Sequence, residues 1–463
     1  MKNLVKVIAA VAVLLCAAGL QANAGEMNVL VNKLVEKGIL TPYEGQIILA
    51  EAKEEAAMDL ALGKASTAPS WTQKIKLKGD VRFRTQTDWG KGNNTDNGTR
   101  IDPAHFRLRQ RVRARIGLEG KVNDQVAAGV LFVTGGRDPR STNETLDDNF
   151  ATQDVRFDQY YIKWMPEVPQ EIGDATVWFG KFKNPFNKTE LLWDSDINPQ
   201  GTAFQYMSKT FELGDVPTNI YANVGWLLID EERRTDYGDP SLWAYQGGIK
   251  ADVIKDWDAT INCSATFWDF DHIQHNSQYN QGDVVSGSNT NTYLVGQHNR
   301  QWRHDYDLVD FVIRYDAKYL FDWHFGHGVY TDLIWNADAG TRDFGWMIGA
   351  YIGDKKPKKP GQWKLWFNWR YLEQDAVPDF LPDSDFYGFV RDNNNPNGYT
   401  PGSPRAGGTN GQGINFGLQY AIFKNTLLCA EYYYSYPISV NAGQPNGYKE
   451  PWQLLQLDIK TKF

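Results

Sequence analysis

The sequence predicts an all-β protein, a 16-stranded antiparallel transmembrane β-barrel preceded by a short N-terminal periplasmic helical hairpin. Three observations predict this fold. From Trp71 onward, apolar and polar residues alternate with period two, which is typical of strands with one face toward lipid and one toward water. Short and long connections alternate between these strands. After the signal peptide, the sequence has no run of the roughly 18 apolar residues that a membrane-spanning helix needs.

The segment Phe106–Val122 shows the alternation most clearly. Arginine occupies every second position from 107 to 115, and mostly apolar residues stand between. In a helix, residues two apart lie about 200° apart around the axis, so five arginines would leave no apolar face. A strand places all five on one face, which a water-filled lumen can accommodate and a dry core cannot. With two more on the preceding strand, the candidate pore-lining residues are Arg82, Arg84, Arg107, Arg109, Arg111, Arg113 and Arg115.

The N-terminal part of the chain differs from the barrel region. Residues 1–24 have a basic start, an apolar run and a small-residue cleavage site, as secretory signal peptides do. Residues 25–64 carry apolar residues at helical spacing, and the sequence TPYE at Thr41 supplies an N-cap, a proline at the first helical position and a capping-box glutamate. We therefore predict a helical segment in the periplasm, a linker at 65–70 and an outer-membrane barrel at 71–463.

The barrel region divides into sixteen predicted strands. An even number, with both chain ends on the side of the short turns, lets the sheet close without a free edge. The strand at 202–213 is the least regular of them. The predicted strands are 72–87, 106–122, 126–134, 154–165, 175–183, 202–213, 218–229, 241–252, 257–269, 305–320, 327–336, 342–353, 362–373, 412–422, 425–436 and 451–463.

Composition narrows the classes of function. Aromatic residues make up 14% of the chain, as expected for strands with interfacial girdles. The net charge of −8 argues against a nucleic-acid partner. Beyond the signal peptide only Cys263 and Cys429 remain, and the alternation places them on opposite faces, so we predict that both are unpaired. The sequence has no nucleophile elbow and no HExxH motif, so no enzyme activity, cofactor or metal is predicted.

Several stretches, in their order along the chain, resemble those of a known family, the "putative porins" of Gram-negative bacteria with a helical segment before the barrel. The resemblance covers nearly the whole mature chain. It implies a diffusion channel in the cell outer membrane, commonly a homotrimer, in contact with lipid and lipopolysaccharide. A last strand that ends on phenylalanine resembles the signal that outer-membrane assembly machinery reads. The stretches are LVEKGILTPYEG at 34–45, the arginine strand at 106–115, GKFKNPF at 180–186, LLWDSDINPQG at 191–201, YLEQDAV at 371–377 and DSDF at 383–386.

The resemblance also suggests a constriction inside the pore. Residues 184–200 connect the fifth and sixth predicted strands, and in sixteen-stranded general porins this loop folds into the barrel. By that analogy Glu190, Asp194 and Asp196 would face the arginines and create a transverse field that sets selectivity. Alternatively, the arginines pair with lumen carboxylates such as Asp80 and Glu119 and only stiffen the wall.

Two functions remain open. The first is passive diffusion of small hydrophilic solutes or ions. The charge preference would be set by the Arg107–Arg115 row, of which Arg109–Arg113 are expected near the constriction, and Lys74, Lys76, Arg82 and Arg84 would reinforce it. The alternative is a structural outer-membrane protein that tethers the envelope through its N-terminal helices, by contact with peptidoglycan or another periplasmic partner. Two Asp-Ser-Asp runs, at 194–196 and 383–385, have oxygen ligands suited to calcium but lack the surrounding spacing of an EF-hand.

Overall fold

A computed structural model of the chain shows a β-sheet protein. The predicted signal peptide (1–24), helical segment (25–64) and linker (65–70) lie outside the described residues. The chain divides into two compact units, Met1–Lys76 and Leu77–Phe463. The strands described below belong to the second unit, except that the first strand begins at Ile75. Among the described residues, no helix is long and apolar enough to cross a bilayer. The structure describes residues 74–91, 94–96, 99–101, 104–231, 238–275, 290–292, 302–321, 323–386, 408–439 and 451–463.

Sixteen long strands form one closed antiparallel sheet within these ranges, as predicted. Each strand pairs with the next along the chain, and the last pairs back with the first. Short strands at Glu144–Thr145 and Phe211–Leu213 join the same sheet, and Asn94–Asp96 pairs with Thr99–Ile101. The long strands are β1 Ile75–Lys91, β2 Ala104–Lys121, β3 Val126–Val133, β4 Arg156–Trp164, β5 Gly173–Lys181, β6 Gln200–Ser208, β7 Val216–Leu228, β8 Ser241–Ile254, β9 Ala259–Asp271, β10 Tyr306–Ala317, β11 His327–Asn336, β12 Phe344–Gly353, β13 Trp363–Leu372, β14 Gly411–Phe423, β15 Thr426–Pro437 and β16 Trp452–Lys462.

The irregular strand predicted at 202–213 is interrupted. Strand β6 ends at Ser208, and the separate strand Phe211–Leu213 pairs with the start of β7. Side chains replace part of the ladder at the interruption, because the Ser208 hydroxyl accepts a hydrogen bond from the Ile220 amide at 2.9 Å and the Asn219 amide group donates to the Ser208 carbonyl at 3.1 Å. Two side chains thus satisfy backbone groups that a regular strand would pair with each other.

The barrel closes at a seam between β16 and β1. Asp80 lies opposite Lys462 and the pairing continues to Trp89 opposite Gln453. Next to the Asp80–Lys462 end of this pairing, the amides of Gly79 and Phe463 each donate a hydrogen bond to the carbonyl of the other residue at 3.0 Å. Both ends of the barrel sequence are therefore tied into the same ladder, which leaves neither of them as a free edge.

The alternation along the strands separates an outer from an inner face. Phe83, Leu108 and Leu457 are exposed large apolar residues on the outer face, while Arg82 and Arg84 on the other register of β1 are buried. The aromatic and aliphatic outer face is suited to contact with lipid acyl chains. The predicted two-sided strands are confirmed by this arrangement.

The inner face has two unlike halves, a difference that we did not expect from the sequence. Around β1, β2 and β16 it is charged, whereas around β8–β13 it carries mainly apolar side chains, with a few buried charged ones such as Asp332 and Arg370. Two loop segments, 182–199 and 373–386, fold inward and pack on this apolar half. Together they form one buried cluster that includes Leu192, Trp193, Trp268, Phe270, Leu308, Ile334, Met347, Leu372, Val377 and Leu381.

A pair of glycines marks the point where the first of these segments leaves and rejoins the wall. Gly180 on β5 is opposite Gly201 on β6. Both have positive φ, 106° and 136°. A Cβ on Gly180 would lie 2.4 Å from the Tyr160 carbonyl oxygen, and one on Gly201 would lie 2.2 Å from that of Trp226. Only glycine fits both the backbone conformation and the space.

The two cysteines are free, as predicted. Cys429 lines a cavity inside the barrel, whereas Cys263 alternates with the inward Ser264 and shares the outer face with Phe267. We expect a charged, membrane-impermeant methanethiosulfonate to label Cys429 in the folded protein and to reach Cys263 only after denaturation. Mass spectrometry of labelled wild type and a Cys429→Ser control checks this. Labelling of Cys263 alone would reverse the assignment of faces.

Candidate functional site

The candidate site is a cavity of about 1020 Å³ inside the barrel, called here the lumen cavity. The inner faces of β1, β2, β13, β15 and β16 form much of its wall. The inward segments contribute Glu190, Asp194 and Asp196 from one loop and Asp383 and Asp385 from the other. The cavity therefore has charged groups from both the wall and the loops.

The wall arginines are held by carboxylates of the wall. Asp80 bridges two of them, with its Oδ1 2.8 Å from Arg113 Nη2 and its Oδ2 2.7 Å from Arg115 Nη2. Arg84 forms a bidentate pair with Asp458, at 2.7 Å from Nε and 2.9 Å from Nη2. A bidentate pair fixes the orientation of the guanidinium group, and its charge-assisted hydrogen bonds are roughly twice as strong as those between neutral groups.

The outer part of the arginine row lies beyond the lumen cavity. Arg109 pairs with Asp88 at 3.2 Å, and Arg111 donates to Gln86 Oε1 at 3.3 Å and to the Asn143 carbonyl at 3.4 Å. Arg107 is half-buried and, like these two, does not line the cavity. Of the seven arginines singled out from the sequence, those that line the cavity are Arg82, Arg84, Arg113 and Arg115.

The loop segment 182–199 is anchored by both polar and apolar contacts. The Thr189 hydroxyl donates to the buried Asp332 carboxylate, and Asn187 donates to Ser264 Oγ at 2.8 Å. The Trp193 ring stacks on Trp268 with centroids 5.8 Å apart. The segment therefore crosses the interior in a fixed position.

The segment 373–386 is bound to the first one. The Ser384 amide donates to Asp194 Oδ2 at 2.9 Å, and the Asp194 amide donates to the Leu381 carbonyl at 2.6 Å. Each Asp-Ser-Asp run forms the same turn, in which the first carboxylate accepts a hydrogen bond from the amide of the last residue. Arg370 on β13 donates to Asp383 at 2.6 Å and holds this segment against the wall.

The two Asp-Ser-Asp runs use their oxygen atoms within the protein. The carboxylates of Asp194 and Asp383 accept backbone hydrogen bonds, and Asp383 also accepts one from Arg370. In the described part of the chain no group of three or more His, Cys, Asp or Glu is arranged to hold a metal ion. These turns therefore serve to shape the loops.

Only one of the three acids expected in the constriction faces the arginines. Asp196 Oδ1 lies 3.7 Å from Arg113 Nη1 and 3.5 Å from Arg115 Nη1. The second loop supplies an acid that we did not single out, since Asp385 lies 3.5 Å from Arg84. These distances exceed those to the wall acids, so the loop carboxylates form ion pairs without close hydrogen bonds.

Glu190 and Asp194 have other surroundings. Burial acts to raise the pKa of Glu190, but the positive charges of Arg370, Lys188 and Arg314 hold that pKa below its usual range. Burial, with the nearby carboxylates of Asp383 and Asp196, raises the pKa of Asp194 well above its usual range. Glu190 therefore loses its proton at a lower pH than an ordinary glutamate, and Asp194 loses its proton at a higher pH than an ordinary aspartate.

Both readings of the arginine row have support in the geometry. Asp80 pairs with arginines, as the wall-stiffening alternative has it, while Asp196 faces the same two guanidinium groups from the loop. Glu119 lies 3.9 Å from Lys78 and accepts a hydrogen bond from Tyr161 at 2.7 Å. Asp458 and Lys460 on β16 also line the cavity, although they were not singled out from the sequence.

Comparison with known proteins supplies a family and three solved structures. A family model described as "Putative porin" matches residues 56–301 and 305–463. OprB of Pseudomonas putida at high pH has a TM-score of 0.49 at 11% identity, with 88% of this chain and 97% of that chain covered. OmpT of Vibrio cholerae lacking loop L8 has a TM-score of 0.40 at 13% identity, with 84% of this chain and 100% of that chain covered. The outer membrane channel DcaP of Acinetobacter baumannii has a TM-score of 0.42 at 14% identity, with 84% of this chain and 97% of that chain covered. No curated protein matches.

The apolar anchor of the first loop can be tested with Leu192, which is fully buried. We expect Leu192→Ala to destabilise the protein by about 2–5 kcal/mol, because it removes buried methyl groups and leaves a cavity. The loosened loop should also raise single-channel conductance. The control Leu213→Ala changes a 60% exposed side chain at a turn and should alter neither. Lower stability with unchanged conductance would show that the loop does not limit the pore.

The charge state of Asp194 predicts a pH dependence. Because its pKa is raised by burial and by neighbouring carboxylates, Asp194 gains its negative charge at a higher pH than an ordinary carboxyl. Raising the pH through that range should shift permeability toward cations. Reversal potentials in a salt gradient, measured from acidic to alkaline pH, check this. Asp194→Asn should weaken the dependence and Ser195→Ala should keep it; identical curves for wild type and Asp194→Asn would exclude Asp194 as its source.

Proposed function

Because the chain belongs to the family described as "Putative porin", whose model matches most of its length, we propose that it is an outer-membrane porin with a water-filled channel for passive diffusion of small hydrophilic solutes or ions. The observation that carries this is the lumen cavity, which is lined by charged side chains inside a closed barrel whose outer face is apolar. Charged groups inside and apolar groups outside are what a water-filled membrane barrel requires.

The same geometry supports a preference for anions. Arg82, Lys460 and Lys462 line the cavity beside Arg113 and Arg115. The net charge of the chain is −8, but screening limits the reach of each exposed charge to about 8–10 Å at physiological salt. Groups along the path of the ion therefore act more strongly on it than the charge of the whole chain does.

Several finer parts of the function are proposals that the sequence motivates. We propose a homotrimer in contact with outer-membrane lipid and lipopolysaccharide, a channel without enzymatic activity, and N-terminal helices in the periplasm. The alternative role, a tether between the outer membrane and peptidoglycan, depends on those helices, which lie outside the described residues. Liposome swelling separates the two roles, because a plugged structural barrel admits no small sugars.

Selectivity is tested by removing the cavity's paired arginines together with their shared acid. In the variant Arg113→Gln/Arg115→Gln/Asp80→Asn, one net positive charge is lost, and the buried Asp80 carboxylate is removed together with the two arginines that it pairs with. A unit charge within about 4 Å of an ion is worth roughly 1 kcal/mol in water, so the permeability to anions should fall roughly fivefold, and the anion-to-cation permeability ratio should fall by at least that factor. The control Lys121→Gln removes one positive charge at an exposed turn.

The measurement is the reversal potential of the purified protein in planar bilayers under a salt gradient. Migration on unheated gels shows whether each variant still forms the barrel. A folded triple variant with the selectivity of the Lys121→Gln control would mean that this part of the arginine row is structural.

A further inference from the structure

One cross-strand pair at the seam of the barrel breaks the charge pattern around it. Going along β1 and β16, Asp80 lies opposite Lys462 and Arg84 lies opposite Asp458, which are complementary pairs. Between them, Arg82 lies directly opposite Lys460. Like charges in opposite positions of a strand pair destabilise the sheet. Such a local conflict often marks a functional site.

The carboxylates near this pair are already bound to other cations. Asp458 accepts two hydrogen bonds from Arg84, at 2.7 and 2.9 Å. Asp80 is shared by Arg113 and Arg115, at 2.8 and 2.7 Å. On the other side of β16, Lys460 lies opposite the buried Leu427. In the part of the chain that the structure describes, no hydrogen bond or ion pair joins the Lys460 ammonium to an acceptor.

Arg82 has donor capacity in the same place. Arg82 is only 8% exposed, and its Nε has no hydrogen-bond acceptor among the described residues. One terminal nitrogen donates to Asn143 Oδ1, and the other is 3.7 Å from Asp458 Oδ2, beyond hydrogen-bond distance. A buried charged donor without an acceptor costs at least about 1–3 kcal/mol, so it is a group that gains from an added acceptor.

We propose that Arg82 and Lys460, with Lys462 beside them, form a binding site for an oxyanion, the carboxylate or phosphate group of a small solute, on the wall of the lumen cavity. The guanidinium and the ammonium would donate charge-assisted hydrogen bonds to the anionic oxygens. The proposal rests on the proposed channel function and gives it a substrate class. Under this proposal the pore is selective for anionic solutes and also binds them transiently during passage.

The position suits transient binding. The site faces the cavity on one side of the pore, opposite the loop acids Asp196 and Asp385, which contact the neighbouring arginines at 3.5–3.7 Å. Acids nearby lower the affinity of the site for an anion. A channel requires this balance, because the solute must bind well enough to enter and weakly enough to leave.

The test uses the full-length mature protein in planar bilayers, with potassium acetate or potassium phosphate as the only salt. Binding makes single-channel conductance saturate as the salt concentration rises. We expect saturation in wild type with acetate, phosphate or both, and these arms separate carboxylate from phosphate recognition. Lys460→Gln should raise the half-saturating concentration roughly tenfold, as expected for the loss of one charge-assisted hydrogen bond.

Two matched variants make the result specific. Lys460→Arg keeps the charge and should saturate nearly as wild type does, while Lys424→Gln removes a lysine from the exposed turn between β14 and β15 and should leave saturation unchanged. Gel migration without heating verifies that each barrel is folded. Arg82→Gln tests the second ligand independently and should act in the same direction as Lys460→Gln.

Two outcomes would overturn the proposal. One is a wild-type conductance that stays proportional to concentration in both salts. The other is an equal half-saturating concentration for wild type, Lys460→Gln and Lys424→Gln. Either would leave the porin function standing, because the protein would still conduct; a folded wild-type barrel that conducts no ions would instead contradict the porin function itself.

Discussion

The hydrogen-bonded seam between β16 and β1 is the interaction on which the rest of the structure depends. In a bilayer each backbone amide and carbonyl must be paired within the protein, so a sheet that spans the membrane has to close on itself. The reciprocal bonds of Gly79 and Phe463 at 3.0 Å and the ten-residue register above them achieve that closure.

The seam also assembles the charged wall. Arg82 and Arg84 come from the start of the barrel sequence, and Asp458 and Lys460 come from its end, more than 370 residues later in the sequence. They become neighbours only when the barrel closes. The charged half of the lumen is thus a product of closure, and any slip in the register by one residue would turn these side chains toward lipid.

The apolar half of the lumen explains how two long loops can stay inside a water-filled barrel. A loop that entered a fully polar lumen would have nothing to hold it against the entropy of ordering its chain. Here Trp193 and Leu192 pack against inward residues such as Trp268. Fully burying each large apolar side chain contributes about 1.5–3 kcal/mol, so several of them offset the ordering cost that polar contacts would not.

Much of the wall could be predicted from the sequence, because alternation is a local signal that each strand carries by itself. The number of strands and the free cysteines followed from it. The interruption at Ser208 could not be predicted, because it depends on hydrogen bonds of Ser208 with the Asn219 side chain and the Ile220 amide in the next strand.

The inward loops were less accessible to prediction. The signal for them was present in β9, where Trp268 and Phe270 stand on the register that faces the lumen. Apolar residues on both faces of one strand indicate that something packs on the inner face, but they do not identify it. The only sequence signal for the second segment, 373–386, was its Asp-Ser-Asp run, which repeats the run at 194–196. The sequence could not show that the two runs are in contact through Asp194 and Ser384.

The site itself shows why a row of like charges in a sequence overstates the charge available in the pore. Arg113 and Arg115 share one carboxylate, and Arg84 has another nearly to itself. The Arg84–Asp458 pair is close to neutral at the distance of a passing ion. Arg113, Arg115 and Asp80 together carry one net positive charge, which is less than the sequence of the row suggests.

In the proposed anion site, the cations that bind a solute are those whose neighbours leave them without an acid, and these cannot be recognised from one strand alone. Lys460 has this character because the register places it opposite Arg82 and Leu427 while Asp80 and Asp458 serve other arginines. A shift of β16 by two residues would keep every side chain on its face but would put Asp458 opposite Arg82 and Gln456 opposite Arg84, so the cation without an opposing acid would be Arg84. Selectivity in this barrel therefore depends on strand register as much as on composition.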